Sequence, residues 1–145
     1  MHNSLESPIL QPVIALLIWT LVMSFWLLFT RIPAMMAQKI VLDPKVPPKE
    51  LTKDLPARVR WKADNYNHLM EAPTLFYAAA LVVAFADPNN GAAVTAAWAY
   101  VVLRVMHSMV QVLINHIPSR LFLFLLSTVA LAVVVWHGAR AVFVF

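Results

Sequence analysis

The stretch that decides the fold is ILQPVIALLIWTLVMSFWLLFT, which occupies residues 9–30. It contains no charged residue, and about 20 mostly apolar residues are enough to cross a bilayer as a helix. No Lys or Arg precedes it, and its apolar run is longer than the core of a cleavable signal peptide. We therefore expect a retained membrane-spanning helix at 9–30.

Three further apolar stretches follow at 69–86, 92–114 and 121–139. Over all 145 residues the chain is 61% hydrophobic and 12% charged, whereas a soluble domain is roughly 45–50% apolar and about 25% charged. The excess apolar surface must face lipid, which excludes an ordinary cytosolic enzyme, a disordered chain and a secreted disulfide scaffold. The sequence predicts an all-α integral membrane protein with four transmembrane helices in a single domain, 1–145.

The connections predict how the helices are arranged. A long polar loop occupies 31–56, a turn lies at 87–91 and a short segment lies at 115–119. Pro, Asn and Gly in the two short connections are typical of chain reversals. We therefore expect an antiparallel four-helix bundle. Its second helix should begin near Pro56, which suits a first helical turn, and should bend at Pro73.

The basic residues predict the orientation in the membrane. Eight of the 11 lie in or beside the long loop: Arg31, Lys39, Lys45, Lys49, Lys53, Arg58, Arg60 and Lys62. Acidic residues are interspersed among them, so the pattern favours a cytoplasmic loop over a nucleic-acid-binding surface. We expect no nucleic-acid partner. Both termini should then lie on the non-cytoplasmic side of the membrane, and the short chain favours a bacterial inner membrane.

Two polar stripes carry the functional signal. At helical spacing, the predicted third helix and its C-terminal end carry Arg104, His107, Ser108, Gln111 and Asn115. The predicted second helix, which begins near Pro56, carries Arg60, Asp64, Asn67, His68, Glu71 and Thr74. A charge inside a bilayer costs at least about 2.5–3.5 kcal/mol, so these faces should point into the bundle or a subunit interface. Folding the chain about Asn89 sets Thr74 opposite Arg104, and we expect Glu71 to pair with Arg104.

Two other interpretations of these stripes need weighing. The Glu71–Arg104 pair could be purely structural and specify how the helices pack. His68, Glu71 and His107 are metal-ligand types, but only one of them is acidic and Arg104 adds positive charge, so we expect no metal site. Intramembrane ionisable residues more often mark function, and there are more polar groups than one ion pair requires.

Three short segments resemble the MAPEG superfamily, the membrane-associated proteins in eicosanoid and glutathione metabolism. They are NHLMEAP at 67–73, RVMHS at 104–108 and PSR at 118–120. The most specific feature is Arg104-x-x-His107, followed thirteen residues later by Arg120. The resemblance covers nearly the whole chain. It implies a homotrimer that binds glutathione between subunits near the cytoplasmic side.

The resemblance also implies roles for individual residues. Arg120 would be catalytic, because a nearby cation lowers the pKa of a thiol and raises its reactive fraction. The glutathione-binding residues would be Asn67, His68, Glu71, Arg104, His107 and Gln111. The chain departs from the family pattern at several places: His68 replaces an asparagine, Asp64 and Asn67 replace arginines, Gln111 replaces a tyrosine, and Leu121 replaces the serine of some members.

Two functions follow from this pattern. The first is a glutathione-dependent transferase or peroxidase acting on lipophilic electrophiles that enter from the bilayer. The alternative is a non-catalytic MAPEG-fold membrane protein that binds a lipid or a protein partner, because Asp64 would repel a glutathione carboxylate. A different thiol or small-molecule cosubstrate stays open as well, since Asp64 and Glu71 could bind an amine.

Overall fold

A computed structural model describes residues 7–143 as a bundle of helices. These are α1 (Leu10–Ala37), α2 (Pro48–Leu51), α3 (Ala57–Glu71), α4 (Thr74–Ala86), α5 (Gly91–Leu113) and α6 (Ile117–Phe143). Residues 1–6 and 144–145, which belong to the predicted domain 1–145, lie outside the described residues. The sequence also predicts on which side of the membrane the two chain ends lie. Both ends are among these residues, so the description of residues 7–143 does not include them.

Four stretches of helix are long and apolar enough to cross a membrane: α1, the combined range Ala57–Ala86, α5 and α6. This confirms the predicted all-helical architecture with four transmembrane helices. Three of the helices extend beyond the predicted spans, since α1 runs on to Ala37, the second begins at Ala57 and α6 begins at Ile117. At 1.5 Å per residue these helices are longer than a hydrocarbon core of about 30 Å, so their ends project beyond it.

The second transmembrane stretch is interrupted at the predicted proline. Pro56 caps α3, which ends at Glu71, and α4 begins at Thr74 directly after Pro73. A proline inside a helix removes one hydrogen bond and its ring clashes with the preceding turn. The two halves have different neighbours: α3 packs against α1 and α5, whereas α4 packs mainly against α6.

Helix α5 occupies the centre of the bundle. It packs against α6, α1 and α3, and it has a larger buried share than the other three candidate spans. It is also the least hydrophobic of the four. Polar side chains are costly in lipid, so the bundle shields the most polar helix with the three apolar ones. The buried positions of α5 therefore include its polar stripe, as predicted: Arg104, His107, Ser108 and Gln111.

The predicted turn between the second and third spans is fixed by Asn90. Its Oδ1 accepts a hydrogen bond from the backbone N–H of Ala93 at 2.9 Å, which caps the start of α5. Its Nδ2 donates to Asp87 Oδ2 at 2.7 Å and to His137 Nδ1 at 3.2 Å. The turn is thereby attached to α6, at the end of the bundle opposite the long loop.

Candidate functional site

Four predicted site residues meet inside the bundle, and we call them the inner cluster: His68 on α3, Arg104 and His107 on α5, and Arg120 on α6. Arg104 donates from a terminal guanidinium nitrogen to His68 Nε2 at 3.3 Å. The imidazole rings of His68 and His107 lie 5.0 Å apart between centroids. His107 Nδ1 donates to the backbone carbonyl of Arg120 at 3.0 Å. The cluster therefore joins three helices through one continuous set of contacts.

Arg104 is 3% exposed and is stabilised by aromatic rings. Its guanidinium carbon lies 5.0 Å from the ring centroid of Tyr100 and 5.0 Å from that of Phe124. A guanidinium over the face of an aromatic ring is attracted by the ring quadrupole, and this attraction strengthens when water is excluded. Together with the hydrogen bond to His68, these two contacts take the place of a carboxylate partner.

The predicted pair between Glu71 and Arg104 is wrong. Glu71 is exposed, and within residues 7–143 the ion pair present is Lys53–Glu50 at 3.4 Å. The prediction took its register from folding the chain about Asn89, which set Thr74 opposite Arg104. In the structure His68, about one and a half turns earlier, contacts Arg104 instead.

The polar stripe of α3 does not face α5 as a whole. His68 does, but the remaining five residues are exposed: Arg60, Asp64, Asn67, Glu71 and Thr74. The buried side of α3 instead carries Lys62, Asn65 and Leu69. The prediction that the two stripes face each other is therefore wrong for most of the α3 stripe. That stripe forms a polar surface on the outside of the single chain.

Sequence reasoning missed Asn65. Its Nδ2 donates to Ser108 Oγ at 2.7 Å, and both side chains are fully buried. A usable signal was present, because Leu69, Phe76 and Ala80 follow one another at helical spacing and mark the buried face. Extending this face back by one turn from Leu69 leads to Asn65.

Arg120 is the member of the inner cluster that reaches towards the loop end of the bundle. Its guanidinium donates to Asn115 Oδ1 at 2.6 Å. Asn115 has a φ of 54° in the connection that precedes α6, a left-handed conformation that asparagine tolerates better than most residues. The chain reversal thus positions the Asn115 side chain that accepts from the Arg120 guanidinium. His107 on α5 donates to the backbone carbonyl of the same arginine.

A cavity of about 880 Å³ opens at the loop end of the bundle, and we call it the loop-end cavity. It lies among the end of α1, the loop with α2, the first half of α3 and the end of α5. Its lining includes four cations, namely Arg31, Lys49, Lys53 and Arg60, together with Asp64, Asn67 and Asn115. Four cations against one carboxylate make it suited to an anionic ligand.

The predicted site residues therefore fall into three places. Asn67 lines the loop-end cavity. The buried set inside the bundle contains Arg104, His107 and Gln111, with His68 half-buried beside them. Glu71 lies outside both, on the exposed face of α3. Arg120 connects the first two places through Asn115. Within residues 7–143 no group of three or more His, Cys, Asp or Glu side chains could hold a metal ion.

Comparison with known proteins adds one finding. Neither the curated proteins nor the solved structures contain a match to this chain. The family model described as MAPEG family matches residues 9–140, a range that includes every predicted site residue. Together with the four apolar helices, this match makes the chain an integral membrane protein. The chain belongs to the MAPEG family.

Proposed function

We propose that the protein is a glutathione-dependent transferase or peroxidase that acts on lipophilic electrophiles within the membrane. The observation that carries this proposal is the position of Arg120. Its guanidinium is held by Asn115 Oδ1, and Asn115 lines the loop-end cavity. A fixed cation therefore stands beside a cavity whose charge suits the carboxylates of glutathione.

Arg120 would act on the thiol. A cation close to a thiol stabilises the thiolate, so it lowers the thiol pKa and raises the reactive fraction at neutral pH. In conjugation, the thiolate sulfur forms a bond to the electrophilic carbon while the leaving group departs with its electron pair. In peroxide reduction, the thiolate sulfur bonds to one peroxide oxygen as the O–O bond breaks, and the other oxygen leaves as an alkoxide that takes up a proton to give the alcohol. The thiol of a second glutathione then attacks the sulfur of the resulting sulfenic acid, so that the disulfide forms and water is released.

The inner cluster would support this chemistry by positioning Arg120. His107 donates to the Arg120 carbonyl and contacts His68 through its ring. His68 in turn accepts from Arg104, which two aromatic rings hold in place. Arg104 is too deeply buried to touch a ligand in the loop-end cavity, so its role in this proposal is structural.

The exposed polar face of α3 supports a homotrimer. Glu71 and Thr74 lie within the predicted span 69–86 and are exposed in the single chain. A carboxylate facing lipid costs at least about 2.5 kcal/mol, whereas the face of another copy can supply polar partners. Three is the copy number that the family resemblance implies. The loop-end cavity, which Asn67 lines, would then open at the junction of neighbouring copies, with Glu71 further along the same face of α3.

The charge distribution supports an orientation. We assign the loop end of the bundle to the cytoplasm, because the basic residues concentrate there and cytoplasmic loops carry an excess of Lys and Arg. Both chain ends then lie on the non-cytoplasmic side. Glutathione would reach the loop-end cavity from the cytoplasm, in a bacterial inner membrane, while the electrophile would arrive through the bilayer.

The experiment combines calorimetry and turnover on the detergent-purified protein. Glutathione is titrated into the wild type, Arg120→Ala and the control Arg140→Ala, whose arginine is exposed near the far end of α6. Conjugation of an aryl halide is measured on the same samples. We expect micromolar-to-millimolar binding and turnover in the wild type and the control. In Arg120→Ala we expect turnover to fall by about 10- to 100-fold, because a thiol pKa that rises by one to two units lowers the thiolate fraction by that factor. Absence of binding heat in the wild type at millimolar glutathione would refute the proposal.

The alternative function, a non-catalytic MAPEG-fold protein that binds a lipid or a protein partner, is favoured by a different observation. An apolar groove of about 360 Å³ lies between α1 and α5, and it is lined by Trp19, Trp98 and aliphatic side chains. Such a groove suits an acyl chain. Under this function the wild type would co-purify with lipid, Ala15→Phe would release it by filling the groove, and glutathione would give no heat.

A further inference from the structure

Two hydrogen bonds between side chains are nested where α5 joins α6. The outer one joins Asn115 Oδ1 to the Arg120 guanidinium at 2.6 Å. The inner one joins His116 Nδ1 to Ser119 Oγ at 2.8 Å. The histidine is exposed, and the half-buried serine directly precedes Arg120. An imidazole and a hydroxyl that contact each other therefore lie in the same short segment as the arginine to which the proposed function assigns the thiol.

Formation of a thiolate requires a proton acceptor as well as a cation. Arg120 can stabilise the negative sulfur, but a guanidinium offers only donors and cannot take the proton. An imidazole suits that task, because it gains and loses a proton near neutral pH. The loop-end cavity also contains the carboxylate of Asp64, but a carboxylate is a weaker base than an imidazole. The acceptor should therefore be a histidine.

Of the four histidines within residues 7–143, His116 is the one suited to this task. His68 and His107 belong to the inner cluster, where a proton added to either ring would place a second positive charge close to the buried Arg104. His137 contacts the turn at the opposite end of the bundle. His116 is exposed, so water can solvate the imidazolium that protonation creates.

We propose that His116 accepts the proton of the bound thiol through the hydroxyl of Ser119. The S–H bond breaks as its proton passes to Ser119 Oγ, and the serine passes its own proton to His116 Nδ1. The sulfur becomes a thiolate, the serine stays neutral and the imidazole becomes an imidazolium. In peroxide reduction the imidazolium returns the proton to the alkoxide, and in conjugation it releases the proton to water. This inference rests on the proposed function and adds the groups that take the proton at the same site.

The same hydrogen bond could serve only to cap a helix. His116 directly precedes α6 and Ser119 lies in its first turn, so their contact also fixes the start of that helix. The two roles can be separated by substitution. Asparagine is a good capping residue but is not a base at neutral pH. His116→Asn therefore keeps a cap and removes the proton acceptor.

Stopped-flow ultraviolet absorbance measures how fast the thiolate forms when glutathione is mixed with the detergent-purified protein. We expect His116→Asn to form the thiolate about 100-fold more slowly than the wild type, at the lower end of what a positioned base contributes. Free imidazole added to this variant should restore much of the rate, because a soluble base can reach the exposed position. The matched control, His137→Asn, removes an imidazole at the far end of the bundle and should behave like the wild type.

A second variant tests the role of the serine. Ser119→Ala should slow thiolate formation by the same factor as His116→Asn. The double variant should be no slower than either single variant, because the two side chains act as one unit. If the two effects multiply instead, the residues act separately and proton transfer through the serine is wrong.

The outcomes separate this inference from the proposed function. If His116→Asn forms the thiolate as fast as the wild type, His116 is not the acceptor, while glutathione binding stands. If His116→Asn is slow and imidazole restores nothing, the histidine serves the fold and the inference is overturned. If calorimetry shows that the wild type binds no glutathione, the inference and the proposed function fail together.

Discussion

Arg104 and His68 form a polar contact between α5 and α3, with 3.3 Å between the guanidinium nitrogen and Nε2. Because an arginine can only donate, His68 Nε2 is the acceptor. The contact joins a helix at the centre of the bundle to one at its edge. The partners of this buried arginine within residues 7–143 are an imidazole and two aromatic rings rather than a carboxylate, and its Nε is buried without a hydrogen-bond partner there.

Double-mutant cycles should detect this pairing. With Arg104→Met and His68→Ala, we expect a coupling of about 1–2 kcal/mol in the free energy of unfolding, since a hydrogen bond to a charged group is lost. With Arg104→Met and Glu71→Ala, we expect less than about 0.5 kcal/mol, because these side chains do not pair. Both cycles can be measured by denaturant unfolding in detergent. If the coupling of Arg104 with Glu71 is as large as its coupling with His68, then Glu71 and Arg104 form the ion pair that the sequence predicts.

Asn65→Ala should destabilise the protein. The substitution leaves the buried Ser108 hydroxyl without its donor, at a cost of about 1–3 kcal/mol. The matched control is Asn67→Ala, two residues further along the same helix, whose side chain is exposed. The control should change the free energy of unfolding by less than about 0.5 kcal/mol. Thermal unfolding followed by circular dichroism compares the two, and equal losses would contradict the assignment of the buried face.

Apolar periodicity and proline placement made much of the fold predictable. The four spans and the turn at Asn90 follow from hydrophobic length and turn-forming residues, and the break between α3 and α4 follows from the missing N–H of Pro73. The polar stripe of α5 was predictable as well, because Arg104 and His107 share one helical face and cannot face lipid.

The face of α3 that packs against α5 was not predictable in the same way. Arg60 and Glu71 mark one polar face, while Asn65 and His68 mark another beside it, and spacing alone does not show which face meets α5. The tertiary packing decides, because α3 packs against α1 and α5 whereas α4 packs mainly against α6. The loop-end cavity was also out of reach, because Arg31 and Lys49 come together only when the loop folds over α3, and loop residues have no periodicity to signal this.

The exposed face of α3 should form contacts between copies. The chain contains 0 Cys, so Glu71→Cys introduces a single thiol. We expect oxidation to cross-link this variant into disulfide-linked dimers in detergent, because another copy would cover the polar face in the proposed homotrimer. The matched control is Val129→Cys on α6, where Val129 is 64% exposed on an apolar surface. Non-reducing electrophoresis separates the species, and efficient cross-linking of the control alone would place the interface on α6.

Asn115 should control the reactivity of the bound thiol. Asn115→Gly removes the oxygen that holds Arg120 at 2.6 Å and keeps a residue that tolerates the φ of 54°. With Arg120 released, the thiolate is less stabilised. The pKa of the bound glutathione thiol should therefore rise by up to about one unit, and the pH profile of conjugation should move to higher pH.

A second substitution of Asn115 tests whether the charge beside Arg120 affects the thiol pKa. Asn115→Asp keeps an acceptor for Arg120 but adds a negative charge beside it, which should raise the thiol pKa further than glycine does. The matched control is Asn89→Gly, an exposed asparagine in the turn at the far end of the bundle. Ultraviolet absorbance of the thiolate during a pH titration measures all four proteins. If both Asn115 variants titrate like the wild type while glutathione still binds, Arg120 reaches the thiol without help from Asn115. If only the aspartate variant shifts, charge rather than positioning governs the thiol.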